Sequence, residues 1–363
     1  MRSITWPKIH SKSAAWVLGA IILFSGVVRY PCDDIRLLCR LLFEMAVAGA
    51  VVMTLWHINR WWAAFLALST ISFVFPFYDR SSYLAFNAVL YAAIWYIVVA
   101  AAVTQKSIPT ILNAICIMAL CHVAMQTVQH LGMDPWFVST NHKHNLVPVG
   151  LMGNRNSTGA LLALAFPAFL RSRWWILLPV IGYGLVLAAS SGPALAVMVG
   201  AGFYLLTLTV IPPWVKWTAL AAVTMVAILF FSFVDRPRIF SDSRWTAWHN
   251  AGFYLKQHWI LGSGLGHWKE VFSRFPICKK LWWTTAHNEY FQTFFEMGMA
   301  AVVIMAGYVI QTAHRAWNLT TARRIPLTAM VVIFVNAMAH FTFHVGTTAM
   351  LAIIWMALME VEA

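Results

Sequence analysis

Residues 83–103 read YLAFNAVLYAAIWYIVVAAAV, a stretch with no charged side chain and a single amide, Asn87. As a helix it is long enough to cross hydrocarbon about 30 Å thick. Its apolar residues run continuously instead of alternating with period two, so it reads as a helix and not as a barrel strand. Comparable runs lie near 14–28, 38–56, 61–77, 108–128, 157–170, 174–190, 193–211, 214–234, 290–311, 325–343 and 346–360. The 363 residues are 61% hydrophobic and 10% charged, and mean hydropathy is +0.72. Too few polar side chains remain to cover a surface that faces water. In lipid every backbone N–H and C=O must be bonded internally, which helices achieve. The expected fold is therefore an all-α integral membrane protein of about twelve transmembrane helices. It forms one polytopic domain over 1–363, with a large extracytoplasmic loop, 235–287, between the ninth and tenth spans.

The connections alternate in charge. One set carries eleven Lys and Arg, among them Lys8, Lys12, Arg60, Lys106, Arg323 and Arg324. The opposite set, leaving out 235–287, carries six, including Arg36, Arg80, Lys143 and Arg155. The positive-inside rule then puts both termini in the cytoplasm and the long loop outside. Tryptophans gather at span ends (Trp61-Trp62, Trp174-Trp175, Trp214, Trp282-Trp283), as an interfacial belt requires. The first apolar run ends in Val27-Val28-Arg29-Tyr30-Pro31 with no small-residue cleavage site, which points to a retained helix. The five cysteines, Cys32, Cys39, Cys116, Cys121 and Cys278, have no metal-ligand spacing. Cys116 and Cys121 read as packing residues; Cys32 and Cys39 pair only if their loop faces an oxidising compartment.

Segment 235–287 holds eight basic residues, Arg236, Arg238, Arg244, Lys256, Lys269, Arg274, Lys279 and Lys280, against Asp235, Asp242 and Glu270. Positive charge on the outer face has no topogenic purpose. It asks for an anionic partner near the membrane, either lipid headgroups in general or a phosphate-bearing substrate. No nucleic-acid partner is expected. Arg244 and Trp248 are four apart, so a short helix would set them on one face. The glycines of Leu261-Gly262-Ser263-Gly264-Leu265-Gly266 follow no strand and so form no dinucleotide fingerprint; they allow a tight return of the chain against the membrane.

Thr284-Thr285-Ala286-His287-Asn288-Glu289 leads into the tenth run, with Gly298 ten positions after Asn288. His287 falls at a helix N-terminus, where the macrodipole disfavours the imidazolium. A neutral imidazole at a water–lipid boundary suits a general base, and it equally suits a plain helix cap. Asn288, Gln292 and Glu296 are spaced as one polar stripe on that helix. Glu296 lies about 900° of rotation from His287 on a regular helix, which makes it structural or cavity-lining. Asn336, His340 and His344 share a face of the eleventh run. Without the glutamate of H-E-x-x-H they read as cavity lining or interhelical bonding groups, not as metal ligands.

Together these segments resemble the O-antigen ligase and O-antigen polymerase superfamily of membrane glycosyltransferases, which use polyprenyl-diphosphate-linked glycans. The resemblance rests on Arg244-x-x-x-Trp248, Leu261 to Gly266, and His287-Asn288 followed by Gly298. A second match is Gly153-Asn154-Arg155-Asn156 ahead of an apolar run containing Pro167. It implies a bacterial inner-membrane enzyme that needs no metal or other cofactor. His287 would activate an acceptor hydroxyl and Arg244 would hold the donor's diphosphate. Arg155, Arg238, Trp248 and Asn288 would complete the substrate site. The acceptor would be a lipid-A core in a ligase or another lipid-linked repeat in a polymerase. The resemblance departs at Ser190-Ser191-Gly192-Pro193-Ala194, where the family carries an arginine; Arg155 or Arg238 stands in for it. A protein O-oligosaccharyltransferase and a solute transporter are the alternatives, the latter because intramembrane His and Glu also mark transport pathways.

Overall fold

The computed structural model describes residues 80–104, 106–135, 141–142, 145–208, 212–218, 242–273, 285–317 and 323–360, with 61, 64, 65, 67–69, 72, 221 and 225. The expected runs 14–28 and 38–56, Cys32, Cys39, Cys278 and Arg238 lie outside them. The described chain is helical: α1 (Arg80–Ala102), α2 (Ile108–His130), α3 (Arg155–Phe169), α4 (Leu178–Ala188), α5 (Ser191–Thr207), α6 (Asp242–His258), α7 (Trp268–Phe272), α8 (Glu289–Trp317), α9 (Arg324–Ala337) and α10 (Gly346–Glu360). A 3-10 turn, Ser172–Leu177, precedes α4, and a two-residue antiparallel ladder pairs Asn141 with Leu146. Among the described residues, two helices are long and apolar enough to cross a membrane, Ile108–His130 and Glu289–Thr312.

The core forms around α3, which is buried along Ser157–Phe169 and packs against α2, α4, α5, α9 and α10. Its start is set by Asn154, whose side chain accepts from Asn156 N–H (2.8 Å) and Ser157 N–H (3.3 Å) and so caps two of the free amides of the first turn. Trp355 of α10 lies against α3 and donates its indole N–H to Leu164 O at 2.8 Å. Close approach elsewhere depends on glycine. A Cβ at Gly200 of α5 would lie 2.4 Å from Val332 of α9.

Polar residues inside α2 have backbone partners. Gln129, fully buried, accepts from Val149 N–H and Gly150 N–H (both 2.8 Å) and donates to Gly150 O (3.1 Å). His122 Nδ1 accepts from Leu151 N–H at 3.3 Å. These bonds tie segment 147–152 to the bundle and orient the start of α3. Cys116 is buried in the same core, as a packing residue should be.

The expected long loop is partly helical where it is described. Its residues form α6 and α7, which bury Ala247, Ala251, Leu255, Trp268 and Phe272 against Phe295 of α8. The apolar run 325–343 also divides differently: α9 stops at Ala337, and residues 338–345 turn before α10. Asn336, His340 and His344 therefore do not share one regular helix face.

Candidate active site

The site begins with a broken helix. Gly298 interrupts α8 with φ 68° and ψ −164°, a conformation that L side chains avoid. A break of this kind frees backbone groups, which must be paired inside protein. Phe295 O accepts from Ser263 N–H and Glu296 O from Gly264 N–H, both at 2.8 Å, while Met299 N–H donates to Trp259 O at 2.8 Å. The glycine run seats itself in the break. A Cβ on Gly298 would meet Ile260 O at 2.1 Å, and one on Gly262 would meet Glu296 O at 2.5 Å. The glycines therefore serve a backbone-on-backbone contact.

Glu296 completes that contact. Its carboxylate accepts from Gly266 N–H (2.8 Å), Trp268 N–H (3.3 Å) and Gln292 Nε2 (3.0 Å). It is structural and does not face His287. Asn288 departs from the expected stripe: its Oδ1 accepts from Phe291 N–H at 3.0 Å and caps the first turn of α8.

Arg244 and Trp248, one turn apart on α6, hold carbonyls in two separate segments. Trp248 Nε1 donates to Ala286 O (2.8 Å), the residue before His287, and Arg244 Nη1 donates to Ala339 O (3.2 Å), in the turn after α9. His287 lies between them in sequence of contact, its ring 5.1 Å from that of Phe341. Its φ of 53° is left-handed, a conformation that costs a residue with a Cβ about 1–2 kcal/mol. Burial, and then the charge of Arg244, lower its pKa from 6.5 to about 4, so the imidazole is neutral at pH 7.

The 338–345 turn brings His344, expected to line a cavity or to bond between helices, onto α8. Glu289 Oε1 accepts from Phe343 N–H (2.6 Å), and its carboxylate meets His344 Nδ1 at 3.0 Å. Gln292 Nε2 faces His344 Nε2 at 3.0 Å while Gln292 Oε1 accepts from Ala286 N–H. With the amide oxygen so engaged, Gln292 Nε2 is turned toward His344 Nε2, while His344 Nδ1 faces the Glu289 carboxylate. Glu289 escaped notice because an acid in a first helical turn ordinarily needs no reason beyond the helix dipole.

No protein-family model matches this sequence, and no curated protein resembles it closely enough to be matched.

Of the expected site residues, the fold gathers His287, Arg244, Trp248 and Asn288 around the start of α8. Arg155 is the first residue of α3. Its neighbour Asn156 accepts from Ser190 Oγ at 3.1 Å, so Arg155 stands beside the Ser190–Ala194 turn. Among the described residues, His, Cys, Asp and Glu side chains form no group of three positioned to hold a metal ion.

Proposed function

We propose that this chain is a multi-pass glycosyltransferase of the O-antigen ligase or polymerase type. It would span the bacterial inner membrane about twelve times with both termini cytoplasmic. In this reading it transfers a polyprenyl-diphosphate-linked saccharide to a lipid-linked or glycan acceptor on the outer face, in surface polysaccharide or lipopolysaccharide synthesis. The observation that carries the reading is the convergence of a fixed guanidinium and a neutral, buried imidazole at one helix start. Outward apolar residues on the bundle, among them Val186, Val199, Val303 and Ile310, suit a lipid surround. Arg155, next to the Asn156 that bonds Ser190, is one candidate for the arginine missing from Ser190–Ala194, and Arg238 is the other.

The chemistry follows from charge. The acceptor oxygen forms a bond to the anomeric carbon as the bond from that carbon to the diphosphate oxygen breaks. The hydroxyl proton passes to His287 Nδ1 or Nε2, and the electron pair leaves with the lipid diphosphate. Arg244 stabilises the charge that gathers on the leaving group. An imidazole near 4 is a weak base, so it first orients the hydroxyl as hydrogen-bond acceptor. The bound diphosphate offsets the positive field of Arg244 and raises its basicity.

A transporter is the second reading, because discontinuous helices line transport sites. The break at Gly298 favours it, yet that break is filled by residues 259–266, which bond Phe295 O and Glu296 O. The test is transfer by purified protein from a lipid-diphosphate-linked glycan. Arg244→Ala should abolish transfer and Arg244→Lys restore only part of it, since a point charge cannot grip a diphosphate in two places. Full transfer by the Ala variant at normal protein levels removes the assignment.

A further inference from the structure

His340 is the most anomalous side chain near the site. It is 2% exposed, and neither ring nitrogen has a hydrogen-bond partner among the described residues. One turn earlier, Asn336 is fully buried with its Oδ1 also unpaired, although its Nδ2 donates to Thr342 Oγ1 at 2.8 Å. Buried polar atoms are nearly always paired, because leaving one dry costs more than a typical bond returns. An imidazole with two such atoms is either a misfit or a binding group awaiting its partner.

Its surroundings decide between these. The ring stacks on Phe341 (4.4 Å between centroids, 23° between planes), and Phe341 packs in turn against His287. The carbonyl just before it, Ala339 O, is the one that Arg244 holds. His340 thus sits on the same short turn that anchors the guanidinium. The guanidinium and the ring are fixed by adjacent residues of one turn, and the ring has an unused donor. Glu289, His287 and His344 are the other titratable groups around it.

We propose that His340 is a second ligand, beside Arg244, for the phosphate group of the lipid-diphosphate donor, giving a ring N–H to a phosphate oxygen. This rests on the glycan-transfer reading. A hydrogen bond to a charged oxygen in a buried place corresponds to roughly a tenfold or greater change in affinity.

The experiment titrates farnesyl diphosphate, inorganic diphosphate and farnesol into the purified full chain and follows tryptophan fluorescence, alongside thermal unfolding. His340→Phe keeps the stacked ring and removes both nitrogens. It should bind farnesyl diphosphate and inorganic diphosphate about ten times more weakly, bind farnesol as the wild type does, and melt no lower than the wild type. His340→Gln should recover part of the loss. Equal binding by His340→Phe and wild type overturns the inference and leaves the transfer reading standing. Absence of diphosphate binding by the wild type overturns both together. Early melting of both variants also overturns it, because it shows the ring to be held by a partner and not kept for one.

Discussion

The bundle around α3 and the cluster at the start of α8 differ in how their buried histidines are paired. In the bundle, Gln129 and His122 are bonded to the backbone of segment 149–151, and Thr158 donates to Val149 O. Their purpose is exhausted by shape. In the cluster, His340 and Asn336 keep unpaired atoms, and His287 is held in a left-handed conformation that a histidine does not choose. Strain and unmet polarity of this kind gather where a molecule does chemistry. The difference separates groups that make the fold from groups that the fold holds ready.

The comparison is broken most severely at the seam between the two, Gly298. Gly298→Ala should destabilise the protein by more than about 3 kcal/mol, since the new methyl meets backbone and the conformation is left-handed. Loss of folded protein, read by size exclusion and thermal melting, checks it; a wild-type melting curve would show that the break is not required. Next comes His287→Gln, which keeps size and polarity without basicity. Transfer should fall by roughly two to four orders of magnitude with donor affinity preserved. In the wild type, kcat/KM should decline only as pH falls toward about 4, because burial and Arg244 keep the free enzyme's His287 neutral above that. The kcat profile should turn at higher pH, with the donor's charge in place. A kcat/KM midpoint near the ordinary 6.5 would contradict the buried site. Smallest in its functional effect is Gln129→Leu in the bundle. It strands Val149 and Gly150 and should cost about 2–4 kcal/mol of stability, while each folded molecule keeps its transfer rate. A rate defect matching that of His287→Gln would erase the distinction between the two regions.

Much of the bundle was legible because lipid-facing and core helices write themselves as uninterrupted apolar runs. The run 83–103 corresponds to α1, 108–128 to α2, 346–360 to α10, each within a few residues. Arg244 and Trp248 were legible as a helical pair by their spacing. The turn at 338–345 was not, because its partners are remote: Glu289 lies 54 and 55 positions from Phe343 and His344. Apolarity continues through Phe341 and Phe343, so the pattern alone carries a helix past its real end at Ala337. The glycine run reads as a close approach of backbone, and the neighbour it meets is α8. No local pattern could name it, since Gly298 and Gly262 meet only after the chain has folded back.

The contact of Arg244 with Ala339 has a consequence for how the protein is made. Ribosomal synthesis delivers Arg244 first, then the α8 start with His287 and Glu289, and only much later the turn that receives Arg244 and carries His344. Until residues 339–344 have left the ribosome, the guanidinium lacks this anchor and Glu289 lacks these two bonds. The site is thus assembled by the last hairpin of the described chain. A nascent or prematurely ended polypeptide that has already placed its earlier helices carries Arg244, His287 and Glu289 without these contacts from residues 339–344.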